Sequence, residues 1–313
     1  MKQFFAPIGL SFLIMLGLSI TAFAPVNQAV YLELKLKKGQ KIKQWVVNDQ
    51  VITQTVRGRE QVIKQKMGMG YLYEVIAAKE NRFDLKVSYY RMSLSQENDM
   101  MPSMNSEYDS ASPNDETLSP IAIPFKAQLN KSFEISLDRK ANIIEVRGTT
   151  EMIDAIVAEI LEEMGEGAEG QLRASLEKSM SPENMKAAMG QFIVKLPDNP
   201  VSKGESWEEN TSVYSMMRFN SEKKYSVSEL TNKMITLSLE GELFTDDDAM
   251  MDLGAMQIPV GLGGTITGET ELSLKTGFVN NSQQKMEILG ELEMQGMTIP
   301  MSIVNETTIS LEK

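Results

Sequence analysis

Hydrophobic and polar residues alternate along much of this chain. Near its beginning, Leu32, Leu34 and Leu36 alternate with charged residues. The same period of two recurs in residues 83–89, 133–137 and 286–294. A period of two places the apolar side chains on one face, which is the pattern of a half-buried antiparallel strand. We therefore predict a chain built mainly of antiparallel strands, with a final hairpin that turns at Gln295-Gly296.

The segment from Thr149 to Phe192 breaks this alternation. Its apolar residues from Met152 to Met164 recur at helical spacing, and Gly165 follows them. Further along, Ser181 has the character of a helix N-cap and Pro182 that of the first helical residue. The inner face of this last helix is predicted to hold Met185, Ala188, Met189 and Phe192. We therefore predict a helical block between two β-rich halves, with a middle helix that carries Leu172 and Leu176.

The two β-rich halves share landmarks in the same order, which suggests a weak internal repeat. Lys38-Gly39 corresponds to Lys203-Gly204, Tyr73 and Val75 correspond to Tyr225 and Val227, and residues 134–137 correspond to residues 271–274. The spacing between matched landmarks shrinks along the chain, as insertions in the first half would require.

These patterns divide the chain into four parts. Residues 1–24 resemble a signal peptide, with Ala22-Phe23-Ala24 as the cleavage motif; an uncleaved N-terminal anchor is the alternative. Residues 25–148 form the first β-rich half, in which the polar stretch 95–124 is expected to be a mobile loop. Residues 149–192 are the helical block, and residues 193–313 are the second β-rich half. An exported protein, periplasmic or secreted, is expected, and membrane association is left open.

Composition narrows the function further. The 313 residues include no Cys and no His, which excludes disulfides, zinc-thiolate sites and every mechanism that relies on His or Cys. A formal net charge of −12 argues against a nucleic-acid partner. A pair of carboxylates could still hydrolyse a glycosidic bond, but no spacing identifies such a pair. We expect no enzyme, and the sequence nominates no catalytic, cofactor-binding or metal-binding residue.

The 23 methionines need an explanation, because this number is well above ordinary usage. They fit plain core packing, a pliable lining for a hydrophobic ligand, or a thioether site for Cu(I). The clusters that would suit copper are Met67 with Met69, and Met100, Met101 and Met104.

Other features have ordinary alternatives. Asp246, Asp247, Asp248 and Asp252 suit either a hard cation or a solvated acidic turn, and the turn is preferred because the spacing matches no calcium loop. Trp45 and Trp207 could stack on a ligand, although core packing is the default. Residues 31–91 carry 13 Lys and Arg against 6 Asp and Glu, and residues 92–313 carry 17 against 37. This asymmetry fits a basic face for anionic lipids or glycans, or two halves that complement each other within one molecule.

Several segments together resemble a known family. They are residues 31–39, Met67-Gly68-Met69, residues 107–110, Phe133–Leu137 with Asn142–Gly148, and Leu196–Val201 leading to Gly204-Glu205-Ser206-Trp207. The set is similar to an uncharacterised family of exported bacterial proteins, common in the Bacteroidota and labelled only as a domain of unknown function. The resemblance implies a secreted or periplasmic β-rich protein without established catalytic residues or cofactors. It also leads us to expect a glycine turn where this chain has Ala141-Asn142.

The fold class we predict is α+β: a mainly antiparallel sheet curved into an open barrel or clam, with the helical block packed on it. The sheet's inner face must be filled by the helices or leave a cavity. The first functional hypothesis is therefore a non-catalytic envelope protein that binds a hydrophobic ligand or lipid between sheet and helices. The alternative is a structural or protein-interaction component of the envelope with a filled core. No cofactor is expected under either hypothesis.

Overall fold

The structure, a computed structural model, describes residues 29–112, 119–165, 169–214, 218–252, 257–294 and 296–312. The strands are β1 (Lys41–Val56), β2 (Arg59–Ala78), β3 (Phe83–Asn98), β4 (Ser106–Asp109), β5 (Ser132–Leu137), β6 (Ile143–Arg147), β7 (Ser206–Tyr214), β8 (Arg218–Leu230), β9 (Met234–Phe244), β10 (Met250–Asp252), β11 (Gln257–Ser273), β12 (Val279–Met294) and β13 (Met297–Glu312). The helices are α1 (Ile123–Gln128), α2 (Thr149–Met164), α3 (Glu169–Ser179) and α4 (Pro182–Gly190). A short 3₁₀ turn spans Pro102–Met104.

The strands form one antiparallel sheet in the order β6-β5-β3-β2-β1-β13-β12-β11-β9-β8-β7, with β4 beside β3 and β10 beside β11. Two runs of five strands stand out in this order. The strands β1, β2, β3, β5 and β6 form the first run, and β6 is one edge of the sheet. The strands β7, β8, β9, β11 and β12 form the second run, and β7 is the other edge. The strand β13 joins the two runs. Because the strands follow one another in chain order, this arrangement is compatible with the repeat that the sequence landmarks suggest.

Backbone hydrogen bonds place the repeat landmarks in the same geometry. Gly39 donates to the carbonyl of Val75, and Gly204 donates to the carbonyl of Val227, each at 2.8 Å. Both glycines have positive φ, +80° and +88°, which is the backbone region that glycine adopts without a steric cost. The amide of Val227 in turn donates to Glu205, as that of Val75 donates to Gln40. Equivalent positions in the two repeats can therefore be compared residue by residue.

The helical block lies between the two runs in sequence and packs on the sheet. The helix α2 begins after Gly148 and ends before Gly165, and both glycines have positive φ. The α4 N-cap is Ser181, whose hydroxyl accepts a hydrogen bond from the backbone amide of Asn184, and Pro182 opens the helix. The end of α2 before Gly165 and the start of α4 at Ser181 and Pro182 agree with the sequence prediction.

The helix α4 contacts β6 and β7, which are the two edge strands of the sheet. The sheet therefore curves so that its edges approach each other, with no pairing between them among the described residues, and α4 covers the gap. The predicted α+β architecture, an antiparallel sheet curved into an open barrel with helices packed on it, is confirmed.

The two faces of the sheet differ in charge. On the inner face, where the helices pack, the positions of β1–β3 and β9–β13 are uncharged apart from Arg59 at a hairpin tip. The outer face holds most of the charged side chains of the strands, among them Glu208, Lys224 and Glu240. Period-two alternation places an exposed charged residue between buried apolar ones, which explains this division.

Two details differ from the prediction. Residues 31–37 are not a strand: the amides of Leu34 and Lys35 donate to the carbonyls of Arg139 and Thr276, which belong to two different turns. The three leucines of this segment are nevertheless buried. Met164, predicted on the buried face of α2, has 56% of its surface exposed because the helix ends there.

The stretch 95–124 contains regular structure. It includes the end of β3, the 3₁₀ turn, β4 and the first residues of α1, while residues 113–118 lie outside the described part. Its mobility stays a prediction.

The predicted signal peptide, residues 1–24, also lies outside the described residues. Among the helices that the structure describes, none has the length and apolar character needed to cross a membrane.

Candidate functional site

A cavity of about 370 Å³ lies where α4 covers the gap between the two sheet edges. We call it the seam cavity. It is lined by Ala141, Asn142, Ile143, Glu183, Lys186, Ala187, Gly190, Gln191, Ile193, Lys195, Glu209, Asn210, Thr211, Ser212 and Lys223. These residues come from α4, from the turn between β5 and β6 and the start of β6, from β7 and β8, and from the segment that joins α4 to β7. The volume is within the range of small-molecule sites.

Two charged side chains of the inner face line the seam cavity. Glu209 of β7 and Lys223 of β8 are directly opposite each other in the antiparallel register. They are 9% and 8% exposed. Among the described residues, neither side chain has an ion pair within 4.0 Å, and Oε2 of Glu209 is buried without a hydrogen-bond partner. Buried charges without direct compensation are costly, so this pair needs an explanation.

Burial shifts the protonation equilibria of both groups towards their neutral forms. Desolvation raises the pKa of Glu209, and the positive charges of Lys223 and Lys195 only partly oppose this. Desolvation likewise lowers the pKa of Lys223, against the opposing effect of Glu209. The site therefore holds two charged groups whose ionisation the surroundings disfavour.

An aromatic pair lies next to these charges on the same two strands. The rings of Trp207 and Tyr225 stack with their centroids 5.6 Å apart. The indole Nε1 of Trp207 donates to the carbonyl of Lys195 at 3.1 Å. Burial raises the pKa of Tyr225, and the neighbouring carboxylate of Glu209 raises it further. Trp207 is therefore close to the cavity as well as part of the packed interior.

The residue at the other wall of the cavity is strained. Ala141, at the turn between β5 and β6, has a φ of +63° and is buried. This is the position at which the family resemblance implies a glycine turn. An alanine in the left-handed region carries a steric cost that glycine avoids. Non-glycine residues in such conformations cluster at functional sites.

The space between the helices and the first repeat is filled by aromatic side chains. The ring of Tyr71 lies 5.4 Å from that of Tyr89 and 5.7 Å from that of Phe192, which follows α4. The ring of Tyr73 lies 5.2 Å from that of Phe278. These rings occupy the inner surface that the sequence suggested as a Met- and Leu-lined cavity. The seam cavity instead combines small apolar residues with charged and amide side chains.

The methionine clusters proposed for copper lie in different surroundings. Met67 and Met69 are half-buried on the inner face of β2, where the hydroxyl of Tyr71 donates to the sulfur of Met69 at 3.3 Å. Met100, Met101 and Met104 are exposed around the 3₁₀ turn beyond β3. Met152, Met185 and Met189 are buried in the core, as plain packing predicts.

The acidic residues at 246–248 lie exposed in the turn between β9 and β10, where Asp246 accepts a hydrogen bond from Asn220. This fits a solvated turn. Within the described ranges, no three acidic side chains come together as a metal-binding group.

Trp45 and the basic residues of the first half have partners within the molecule. The guanidinium carbon of Arg91 lies 4.4 Å from the centre of the Trp45 ring on the outer face, so this tryptophan does not pack in the core. Arg91 also pairs with Asp109, and Arg82 pairs with Glu145, each at 2.8 Å. These contacts fit the interpretation that the two charge-biased halves complement each other.

Sequence reasoning missed Glu209 and Lys223. The sequence signal was their position in the period-two alternation. Glu209 follows Trp207 by two residues, and Lys223 precedes Tyr225 by two, so both charged residues stand where the alternation places apolar ones. Side chains two residues apart on a strand point to the same face of the sheet, so a charged residue at such a position is buried if its neighbours on that face are buried.

Comparison with known proteins adds a family and little else. No curated protein matches this chain. Among solved structures, an outer-membrane channel from Pseudomonas putida F1 matches with 9% identity and a TM-score of 0.18, over 89% of this chain and 97% of the other. OpdQ from Pseudomonas aeruginosa matches with 6% identity and a TM-score of 0.23, over 88% of this chain and 99% of the other. Scores this low support no inference about fold or function.

A family model gives a firmer result. It matches residues 80–279, more than half of the chain, and these residues include the helical block and most of the second repeat. This confirms the resemblance to a family labelled as a domain of unknown function. The chain belongs to the family described as "Family of unknown function (DUF6263)".

Proposed function

We propose that this protein is a non-catalytic binding protein of the cell envelope, and that its ligand is a small amphipathic molecule, such as a lipid, held in the seam cavity. The observation that carries the proposal is the buried Glu209 and Lys223 pair, which lines a cavity without an ion pair to any described residue and with Oε2 of Glu209 unpartnered among these residues. A ligand that supplied hydrogen bonds to these groups would offset the cost of burying them.

The rest of the lining supports an amphipathic ligand. Ala141, Ile143, Ala187 and Ile193 offer apolar surface beside the charged pair. Ligand sites typically combine such apolar surface with a few polar groups that fix the orientation of the ligand. The apolar part of the ligand would lie along these residues, and its polar part would face β7 and β8.

An envelope location rests on the sequence of residues 1–24, which has the features of a signal peptide. A role without catalysis rests on chemistry. The chain has no His and no Cys, which removes the commonest proton-transfer and nucleophilic side chains. Binding is therefore the simplest use of the site.

Native mass spectrometry of the full chain, expressed with its own N-terminus in a host with a cell envelope, tests the proposal. We expect a stoichiometric adduct that organic solvent extracts. Replacement of Ala187 by Trp would fill the cavity from α4 and abolish the adduct. Replacement of Ala174 by Trp, on the exposed face of α3, is the matched control and should leave the adduct in place. A wild-type protein without an adduct, from a host that supplies zwitterionic and anionic lipids, would contradict the proposal.

The second candidate is a structural or interaction protein of the envelope. The aromatic cluster around Tyr71 favours it, because a filled interior needs no ligand for stability. Crosslinking in intact envelopes would support this candidate if the bare protein reproducibly joined one partner through its exposed surface. An adduct lost in the Ala187→Trp variant would favour the binding protein instead.

A further inference from the structure

The charges in the seam cavity restrict the chemistry of the ligand's polar group. This inference rests on the proposed function and goes further, because it concerns which polar group the site accepts. Glu209 offers a hydrogen-bond acceptor, and within the described part of the chain Oε2 of its carboxylate has no donor. Lys223 offers a donor, and among the described residues no carboxylate forms an ion pair with its ammonium group within 4.0 Å.

The two groups do not satisfy each other although they face each other across neighbouring strands. Cross-strand partners have their β-carbons about 4.5–5.5 Å apart, so long side chains could meet. The two side chains nevertheless form no ion pair with each other, and both line the same cavity. The arrangement has separate places for a positive and a negative group.

A ligand with a single charge would leave one side of this arrangement uncompensated. A cation would satisfy Glu209 and leave Lys223 buried beside another positive charge. An anion would satisfy Lys223 and lie close to the carboxylate of Glu209. Only a group with both charges compensates both residues, because charge-assisted hydrogen bonds are the strongest available in a site of low polarity.

The exposed charged side chains that line the cavity carry both signs. Glu183 and Lys186 of α4 and Lys195 of the following segment surround it. Mixed charges around the entrance steer neither anions nor cations strongly. Selection of the polar group therefore depends on the buried pair.

We infer that the seam cavity binds a zwitterion, with the ligand's cationic group beside Glu209, its anionic group beside Lys223, and an apolar arm along Ile143 and Ile193. A free amino acid with an apolar side chain and an ethanolamine phospholipid share this chemistry. A cavity of about 370 Å³ accommodates either the whole amino acid or the headgroup and first carbons of the lipid.

The test measures binding of four defined probes to the full-length protein. The probes are lysophosphatidylethanolamine, lysophosphatidylglycerol and monoacylglycerol with the same acyl chain, and free leucine. Trp207 reports binding by fluorescence in a Trp45→Phe background, because the chain has only these two tryptophans and Trp45 lies on the outer face. Native mass spectrometry confirms stoichiometry for each probe.

The wild type should bind a zwitterionic probe at least about tenfold more tightly than the anionic and neutral probes. Binding of lysophosphatidylethanolamine without leucine would identify the lipid as the source, and binding of leucine alone would identify the amino acid. Replacement of Glu209 by Gln or of Lys223 by Met should each reduce zwitterion affinity about tenfold. The double variant should lose the preference for zwitterions.

The chain offers a matched control for each change. Glu208 and Lys224 are the next residues on the same strands, form a cross-strand pair, and are exposed on the outer face. The variants Glu208→Gln and Lys224→Met should bind the zwitterionic probe as the wild type does. If Lys223→Met fails to fold, Lys223→Gln takes its place, and the probe preference of the wild type is decisive without any variant.

Two results would overturn the inference. Equal affinity of the wild type for zwitterionic, anionic and neutral probes would show that the buried pair does not select the polar group. Retention of an extractable adduct by the wild type, with no affinity for either zwitterionic probe, would refute the zwitterion and leave the proposed binding function in place. A protein that carries no adduct and binds none of the four probes would refute both.

Discussion

The two repeats place different residues at the same position of the inner face. In the second repeat this position holds Glu209 opposite Lys223, two residues along the strands from Trp207 and Tyr225. In the first repeat the equivalent pair is Gln44 opposite Tyr71. Gln44 and Tyr71 are 0% and 3% exposed; Nε2 of Gln44 donates to the carbonyl of Val279 at 2.8 Å, while its Oε1 has no partner among the described residues. One repeat has an uncharged, packed pair where the other has a charged pair beside a cavity.

This difference separates what the fold needs from what a site needs. The first repeat shows that the architecture accepts uncharged residues at this position and fills the space with the rings of Tyr71, Tyr89 and Phe192. Burial of two charges in the second repeat is therefore not required by the sheet or by the turn geometry. A cost that the architecture can avoid points to a function for the residues that incur it.

The largest expected effect is the transfer of a charge into the first repeat. Replacement of Tyr71 by Lys should lower the free energy of unfolding by about 4 kcal/mol or more, because it removes a ring from the aromatic cluster and buries an uncompensated ammonium group. Urea denaturation followed by circular dichroism measures the change. The control is Leu72→Lys, whose side chain lies half-buried on the outer face. A loss for Tyr71→Lys no larger than for Leu72→Lys would refute the contrast between the faces.

The reverse transfer should stabilise the protein. The double variant Glu209→Gln with Lys223→Tyr gives the second repeat the pair of the first, and should raise the unfolding free energy by about 1–3 kcal/mol, since buried charged groups are often less favourable than packed uncharged residues of similar volume. The same variant should lose the adduct in native mass spectrometry. The equivalent change on the outer face, Glu208→Gln with Lys224→Tyr, should alter stability by less than about 0.5 kcal/mol. Destabilisation by the inner change would show that the charges serve the fold.

The pH dependence of stability tests the ionisation of the inner pair. The pKa of Glu209 is raised in the folded protein, so the folded state binds more protons than the unfolded state above the ordinary value of 4.5. Stability contributed by this group is present below that value and is lost as the pH rises through the raised pKa.

The Glu209→Gln variant should therefore lack this loss. Urea denaturation at a series of pH values from 4 to about 8 should show that the wild type becomes less stable relative to the variant as the pH rises. The Glu208→Gln variant should follow the wild-type curve. A constant difference between wild type and Glu209→Gln over this range would contradict the raised pKa.

A smaller effect is expected at the other wall of the cavity. Replacement of Ala141 by Gly should raise the unfolding free energy by about 1 kcal/mol, because it relieves the left-handed conformation at φ +63°. The control is Ala187→Gly on α4, which should lower stability by about 1 kcal/mol through its helix propensity. Thermal unfolding of both variants distinguishes them by sign. A destabilising Ala141→Gly change would show that the methyl group contributes more by packing than it costs by strain.

The smallest effect belongs to the outer pair. Removal of both Glu208 and Lys224 by alanine substitution should change the unfolding free energy by less than about 0.5 kcal/mol, because charged side chains exposed to solvent contribute little to stability. Added salt should leave the difference from the wild type almost unchanged. A loss comparable to that of an inner variant would mean that the outer pair is also part of the stable core.

Much of the fold follows from the sequence because its determinants are local. Period-two alternation predicts β3, β5 and β12, and the final hairpin pairs Met294 with Met297 as expected. Glycine and serine caps predict the ends of α2 and α4. The landmarks Gly39 and Gly204 carry the repeat because each needs positive φ at one position of a turn.

The rest depends on contacts between distant parts of the chain. The segment 31–37 has the alternation of a strand, but its amides meet carbonyls from turns more than 100 residues away. The seam cavity combines the turn at Ala141, the helix α4 and the strands β7 and β8, and no local pattern predicts that these meet. In the sequence, the charged pair is visible only as two charged residues at positions where the alternation expects apolar ones. Its role is apparent only in the structure, where the curvature of the sheet places the pair under α4.

The most direct test of the binding site is a crystal structure of the full chain purified from a host with a cell envelope, without removal of co-purifying molecules. We predict electron density for an occupant of the seam cavity, with a donor on the carboxylate of Glu209 and an acceptor on the ammonium group of Lys223. An empty cavity in which Glu209 and Lys223 form a direct ion pair with each other would contradict this account.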